Sequence, residues 1–251
     1  MAGLLLIIFL FPMLLESCLG INWPKPTDTI KRKNTLKITK RTDCGGKMYI
    51  PDGSKNWGKG EFMYPVIEVA DGVKISNCMV QGGDGIHCLG RCTLENCWVE
   101  NVKDDAISLF GTSSKSKYNV TGGGARNVGS KAIQFNGAGK LFVNNYYIQN
   151  TVEGIRSCGN CEDQYHREIK INGLTIVNLK TGQYVVGVNS NYNDKASLRN
   201  ICIIGSTNVY PCKVFEGNEN QGNPKVIQSE KESGGDGKYC DYKSSDIHIG
   251  S

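Results

Sequence analysis

No stretch of this chain beyond its first twenty residues repeats apolar side chains with a helical period, which excludes a helical bundle or coiled coil. No apolar run reaches the ~20 residues that a membrane-spanning helix needs. A motif interleaving basic and aromatic residues is also missing, so a nucleic-acid partner is not expected. What remains is rich in glycine, asparagine and short β-branched runs, the composition of an all-β chain.

The opening stretch, MAGLLLIIFLFPMLLESCLG, is a short apolar run followed by Glu16 and small residues. It reads as a signal peptide over residues 1–20, cleaved near Gly20, although its start carries no Lys or Arg. The expected mature domain spans 21–251, and the expected location is secreted and extracellular. Of eleven cysteines, Cys18 falls inside the signal and ten remain, an even number that implies a disulfide framework in an oxidising compartment. Cys88 with Cys92, and Cys158 with Cys161, imitate metal-ligand spacing, but that compartment favours disulfides over zinc. Asn119-Val120-Thr121 is an acceptor sequon for a glycan. The formal net charge of +5 suits a polyanionic partner such as an acidic polysaccharide, and equally suits ordinary solubility.

Four segments share the pattern Ile-x-x-x-Gly: DGIHCLG, DAISLFG, KAIQFNG and EGIRSCG. Their isoleucines are Ile86, Ile107, Ile133 and Ile155. A second echo sets KISNCMV against TLENCWV, aligning Asn77 with Asn96 and Cys78 with Cys97. The repeat is about the length of one coil of a parallel β-helix, and a disulfide-tied tail follows the last coils. Coils stack ~4.8 Å apart, so equivalent positions form columns. With the isoleucines inward, the residues before them (Gly85, Ala106, Ala132 and Gly154) are small and suggest the floor of a shallow trough. One step earlier stand Asp84, Asp105, Lys131 and Glu153; just after come His87, Ser108, Gln134 and Arg156. Asp104 joins Asp84 and Asp105 in a carboxylate cluster that repels itself unless protonated or cation-bound, and Ca²⁺ is the abundant hard extracellular cation. The alternative is a purely structural ion ladder, Asp105 to Lys131 to Glu153.

GGDGIHC, NCWVENVKDDAISLFG, GGGARNVGSKAIQFNG and IRSCGNCEDQY together resemble secreted pectate lyases of polysaccharide lyase family 3, over roughly Cys44 to Phe215. The cysteine-rich pattern looks closest to plant-parasitic nematode members. The resemblance implies a right-handed parallel β-helix, and calcium-dependent β-elimination of de-esterified polygalacturonate in plant cell walls. It implies Ca²⁺ held by Asp84, Asp104, Asp105 and Glu61 of GEFMYP, with Lys131 as candidate base and Arg156 as the grip on a substrate carboxylate. Substrate contacts are expected from His87, Gln134, Asn136 and Glu153. His87 also reads as a hydrogen-bond partner of the acids, and Gln134 and Asn136 as rungs of amide ladders. A monomer is expected.

Three positions depart from the family pattern: Ser130 where it has Asp, Asp104 where it has Glu, and Glu153 where it has a second lysine. A carboxylate beside Lys131 strengthens its hold on its proton, the reverse of what a base needs. Two other functions therefore compete. A polygalacturonase would use Asp84, Asp104 and Asp105 for hydrolysis, but its downstream His-Gly and Arg-x-Lys motifs are missing. A non-catalytic pectate-binding protein on a lyase scaffold would account for Ser130 and Glu153.

Overall fold

A computed structural model describes Cys18 and residues 21–54, 57–58, 63–230 and 234–250. The rest of the expected signal peptide, and Glu61, lie outside the described residues.

Short β-branched runs separated by asparagine and glycine corners wind into a right-handed parallel β-helix whose coils carry three parallel sheets. The first sheet stacks Leu36–Ile38, Ile67–Val69, Ile86–Cys88 and Ile107–Leu109. It continues through the ends of Lys117–Phe135 and Gly139–Ser157 into Tyr184–Asn189 and Tyr210–Glu216. The second sheet runs from Thr42–Asp43 through Val73–Ser76 to Cys240–Asp241, and the third from Thr29–Arg32 to Ile247–Gly250. The polar tail thus returns to complete the last coils, and Cys240 is bonded to Cys212. Strand Lys225–Glu230 departs from the solenoid and pairs antiparallel with Tyr210–Glu216 at the end of the first sheet. Among the described residues no helix is long and apolar enough to cross a membrane.

The isoleucine column points inward as expected. Ile67, Ile86, Ile107, Ile133, Ile155 and Val186 stand in register and are all fully buried. Each contributes roughly 1.5–3 kcal/mol from burial, and stacking makes the core continuous from coil to coil.

Asparagine makes the corners, because its short amide tolerates the left-handed backbone better than other side chains do. Asn77, Asn96, Asn145 and Asn200 turn the chain from the second sheet to the third with φ between +50° and +55°. Asn96 Nδ2 donates to Asn77 Oδ1 at 2.7 Å, so the aligned pair forms a ladder. A second ladder closes the third sheet: Asn127 donates to Asn101, Asn150 to Asn127 and Asn178 to Asn150, at 2.9–3.0 Å.

Two expectations are corrected. Gly85, Ala106, Ala132 and Gly154 do not floor a trough; they are buried at a corner where coils touch. A Cβ at Gly85 would lie 2.0 Å from the carbonyl oxygen of Ala106, and one at Gly154 would lie 2.2 Å from that of Val185. Backbone cannot yield there, so Gly154→Ala is expected to cost about 1–3 kcal/mol, read as a lowered denaturant midpoint; an unchanged midpoint would contradict this packing.

The second correction concerns the cysteines. Five disulfides join Cys18–Cys202, Cys44–Cys78, Cys88–Cys92, Cys158–Cys161 and Cys212–Cys240, leaving Cys97 as a thiol. Cys18 is therefore used by the fold: eight of the ten later cysteines pair among themselves, Cys202 pairs with Cys18, and Cys97 is left over. The physical reason is a corner where Cys44, Cys78 and Cys97 stack: two bond and the third is left, its thiol pushed up to about 12 by burial. Cleavage near Gly20 would remove Cys18 and leave Cys202, 3% exposed, as a second buried thiol.

Candidate active site

The acidic residues reach one place because the entry to the first sheet is the same corner on every coil. Asp84 precedes Ile86–Cys88, Asp104 and Asp105 precede Ile107–Leu109, and Lys131 and Glu153 stand in register on the next two coils. The Asp84 and Asp105 carboxylates are each tied to the coil beyond. Asp84 Oδ1 accepts from the Asp105 backbone N–H at 3.2 Å, and Asp105 Oδ1 accepts from that of Lys131 at 2.9 Å. His87 Nε2 meets Asp84 Oδ2 at 2.6 Å, and its ring lies 4.9 Å from that of Phe110. His87 is thereby a hydrogen-bond partner of the cluster.

Asp105 is 8% exposed, and its carboxyl is pushed up to about 6. Burial is the main cause; Lys131 opposes it, while Asp104 and Asp84 reinforce it. Oxygen donors crowded together and short of positive charge are the donor set of a hard cation. The residues therefore fit Ca²⁺ in kind. Among the described residues, however, no three acidic, histidine or cysteine side chains converge as a ready-made metal cage.

Lys131 is a quarter exposed on its side chain and holds two partners. Its Nζ donates to Ser130 Oγ at 2.8 Å and lies 3.6 Å from Asp105 Oδ1. The alternative ion ladder forms only on this side. Glu153 is in register with Lys131, yet its carboxylate accepts the hydroxyl of Tyr184 instead, and no Lys131–Glu153 ion pair forms.

The outward column of the first sheet runs Lys37, Glu68, His87, Ser108, Gln134, Arg156, Gly187 and Lys213. Ser108 and Gln134 are buried, and Gln134 Oε1 has no hydrogen-bond partner among the described residues. The Asn136 backbone oxygen accepts from Arg167 at 2.6 Å, and the residue follows the end of its strand, on the rim opposite the acids. Leu89 and Phe110, 48% and 37% exposed, continue that rim. A recess of about 410 Å³ lined by Asp71, Arg91, Ser113 and Lys115 opens beyond it and holds none of the expected site residues.

Arg156 is not the exposed clamp the column suggested: it is 4% exposed. Its guanidinium carbon sits 4.1 Å above the Phe215 ring and its NH2 donates to Asn189 Oδ1 at 2.9 Å. Asn189 in turn donates through Nδ2 to Asp194 Oδ2 at 3.0 Å and to the Cys158 carbonyl at 2.9 Å. Asp194 and Arg167, both fully buried, anchor this network: Asp194 Oδ1 accepts from the Arg167 backbone N–H at 2.8 Å, and the Arg167 guanidinium binds the carbonyls of Gly137 and Asn136. Burial raises the Asp194 carboxyl and lowers Arg156 and Arg167. None of Tyr184, Asn189, Asp194, Arg167 and Phe215 was singled out in the sequence; the polar run NSNYND was the one available hint.

Comparison with known proteins gives the same picture. A family model described as pectate lyase matches residues 20–222. Pectate lyase E of Emericella nidulans is 39% identical over 181 residues, covering 70% of this chain and 66% of that protein. Probable pectate lyase E of Aspergillus clavatus is 34% identical over 226 residues, covering 87% of this chain and 83% of that protein. The catalytic domain of pectate lyase PelI from Erwinia chrysanthemi superposes with a TM-score of 0.68 at 25% identity, covering 89% of this chain and 98% of the domain. PelI in complex with tetragalacturonic acid superposes with a TM-score of 0.67 at 26% identity, covering 87% of this chain and 70% of that one.

Proposed function

This chain belongs to the pectate lyase family and is a pectate lyase, and on that premise we propose that it cleaves polygalacturonate by β-elimination across the outward column of the first sheet, with calcium held by the acidic corner. The carrying observation is the stacking of Asp84, Asp105 and Lys131 on successive coils, each bonded to the next. That the solved PelI structure was obtained with tetragalacturonic acid supports a uronate chain as the ligand.

Asp84, Asp104 and Asp105 would hold the ion, with Glu61 as a further ligand. When bound, calcium supplies Lewis-acid stabilisation of the charge that builds on the uronate carboxylate. Lys131 Nζ takes the C5 proton; the C5–H electron pair becomes the new C4–C5 double bond as the glycosidic C4–O bond breaks, and the departing oxygen is protonated from solvent. Lys131 must be neutral to act, and its Nζ lies 3.6 Å from Asp105 Oδ1. A cation held at Asp105 would lie beside Lys131 and so would couple the metal site to the base. Glu153 bonds the Tyr184 hydroxyl rather than Lys131.

Arg156 places positive charge beneath the substrate carboxylate, with the Phe215 ring stacked on its guanidinium. Gln134 Oε1, a buried acceptor, suits a sugar hydroxyl, and His87, Asn136 and Glu153 complete the rims. The cysteine framework and the apolar leader support a secreted protein, and the cysteine pattern supports a nematode-like member. A monomer accounts for all of it.

Lyase products absorb in the ultraviolet because elimination leaves a conjugated double bond. EDTA is expected to abolish that absorbance and excess calcium to restore it. A rate indifferent to EDTA would remove the metal from the mechanism.

A further inference from the structure

The outward column that carries His87 and Arg156 continues for two more coils, to Gly187 and then Lys213. Lys213 faces outward between the buried Cys212 and Val214. Its Nζ donates to the Gly182 carbonyl at 2.6 Å and sits 4.5 Å from the centroid of the Tyr210 ring and 5.7 Å from that of Tyr184. Among the described residues no carboxylate lies within ion-pair distance of it. Its proton affinity is lowered by burial and partly restored by Glu153. An ammonium part-way out of water, with a carbonyl on one side and aromatic faces on another, keeps donors available to an anion.

Gly187 stands between the two cations in the column. A Cβ there would lie 2.9 Å from Arg156 Cδ and 2.7 Å from the Tyr184 ring, so that side chain and that ring pack over Gly187 and leave no room for a larger residue. The two positions are two coils apart, roughly 10 Å along the axis. A uronate polymer carries one carboxylate on every sugar, so it presents anions repeatedly along such a column. This end of the groove also holds Glu153, which alone would repel a polyanion.

We propose that Lys213, flanked by Tyr210, is a carboxylate-binding subsite of the groove, two coils from Arg156, that takes a uronate of the same polysaccharide chain away from the bond being broken. The inference rests on the reading of the first sheet as the pectate groove. Its class of ligand is a polyuronate with free carboxylates; methyl esterification removes the charge that Lys213 recognises.

The test is affinity electrophoresis of the full chain, with calcium present, in gels containing polygalacturonate or highly methyl-esterified pectin. Lys213→Ala is expected to weaken binding to polygalacturonate about tenfold, the scale of one charge-assisted hydrogen bond, and to leave retardation by esterified pectin as in the wild type. Lys213→Arg is expected to restore most of the loss. Wild-type affinity in Lys213→Ala overturns the proposal. So does an equal loss in Lys213→Ala and Lys213→Arg accompanied by lowered thermal midpoints, which marks the Gly182 bond as structural. Ultraviolet product is scored separately. If the wild type makes none yet the binding pattern holds, the subsite stands and the lyase reading falls; if product forms and binding is indifferent to residue 213, the reverse follows.

Discussion

Replacing Lys131 with alanine is expected to lower the rate of ultraviolet-absorbing product formation by about 10²–10⁴, the usual contribution of a positioned base. The fold should survive, because Lys131 is partly exposed and the partners it loses are a serine hydroxyl and one ion pair at 3.6 Å. Such a pair contributes at most ~1 kcal/mol. The backbone N–H that binds Asp105 is untouched by the substitution, so the acidic corner keeps its shape. Lys131→Ala protein should therefore unfold like the wild type while its turnover collapses, and Lys131→Arg should not rescue, since guanidinium does not release its proton near neutral pH. A wild-type rate in either variant would take Lys131 out of the proton transfer.

Asp194→Ala is expected to be the most destabilising single change at the buried polar network, by about 3–5 kcal/mol, the size associated with removing one partner of a buried charge cluster. Its two oxygens accept from Arg167 N–H, Ser157 Oγ, and both the backbone and side-chain nitrogens of Asn189. All of these are donors in a fully buried setting, so removing the carboxylate orphans them together. Arg167, equally buried, also loses the negative charge that offsets its burial. Asp194→Asn should recover only part of the stability, because its amide nitrogen would face donors. Chemical denaturation followed by circular dichroism checks this. A loss below about 1 kcal/mol, the level of an exposed ion pair, would contradict the network. Arg156 hangs on Asn189, so the same variants should bind substrate worse at temperatures where they remain folded.

The solenoid could be read from the chain because each coil repeats one inward demand. Ile86, Ile107, Ile133 and Ile155 had to be apolar at a fixed place, and the Asn77–Asn96 corner had to accept left-handed backbone. The acids and Lys131 were legible through the same register. What escaped depends on residues from outside the repeat. Arg156 looks exposed on its own coil, and only the later strand Tyr210–Glu216 brings Phe215 over it. Strand Tyr184–Asn189 carries Val186 in place of isoleucine and does not close on the repeat's glycine, so the column seemed to stop before Lys213. The alternative ion ladder pairs Glu153 with Lys131; the Tyr184 hydroxyl that claims Glu153 lies 31 residues further on. Small residues at the corner imply close approach, and the sequence alone does not say whether the neighbour is a ligand or the next coil.

The central claim is that carboxylates and lysine on consecutive coils operate as one calcium-dependent uronate site. Calorimetry of polygalacturonate binding in calcium, using the catalytically silenced Lys131→Ala chain with and without the further pair Asp84→Asn and Asp105→Asn, tests it directly. The account predicts calcium-dependent binding by Lys131→Ala and none by the triple variant, with both folded. Undiminished calcium-dependent binding after both aspartates are replaced would contradict it.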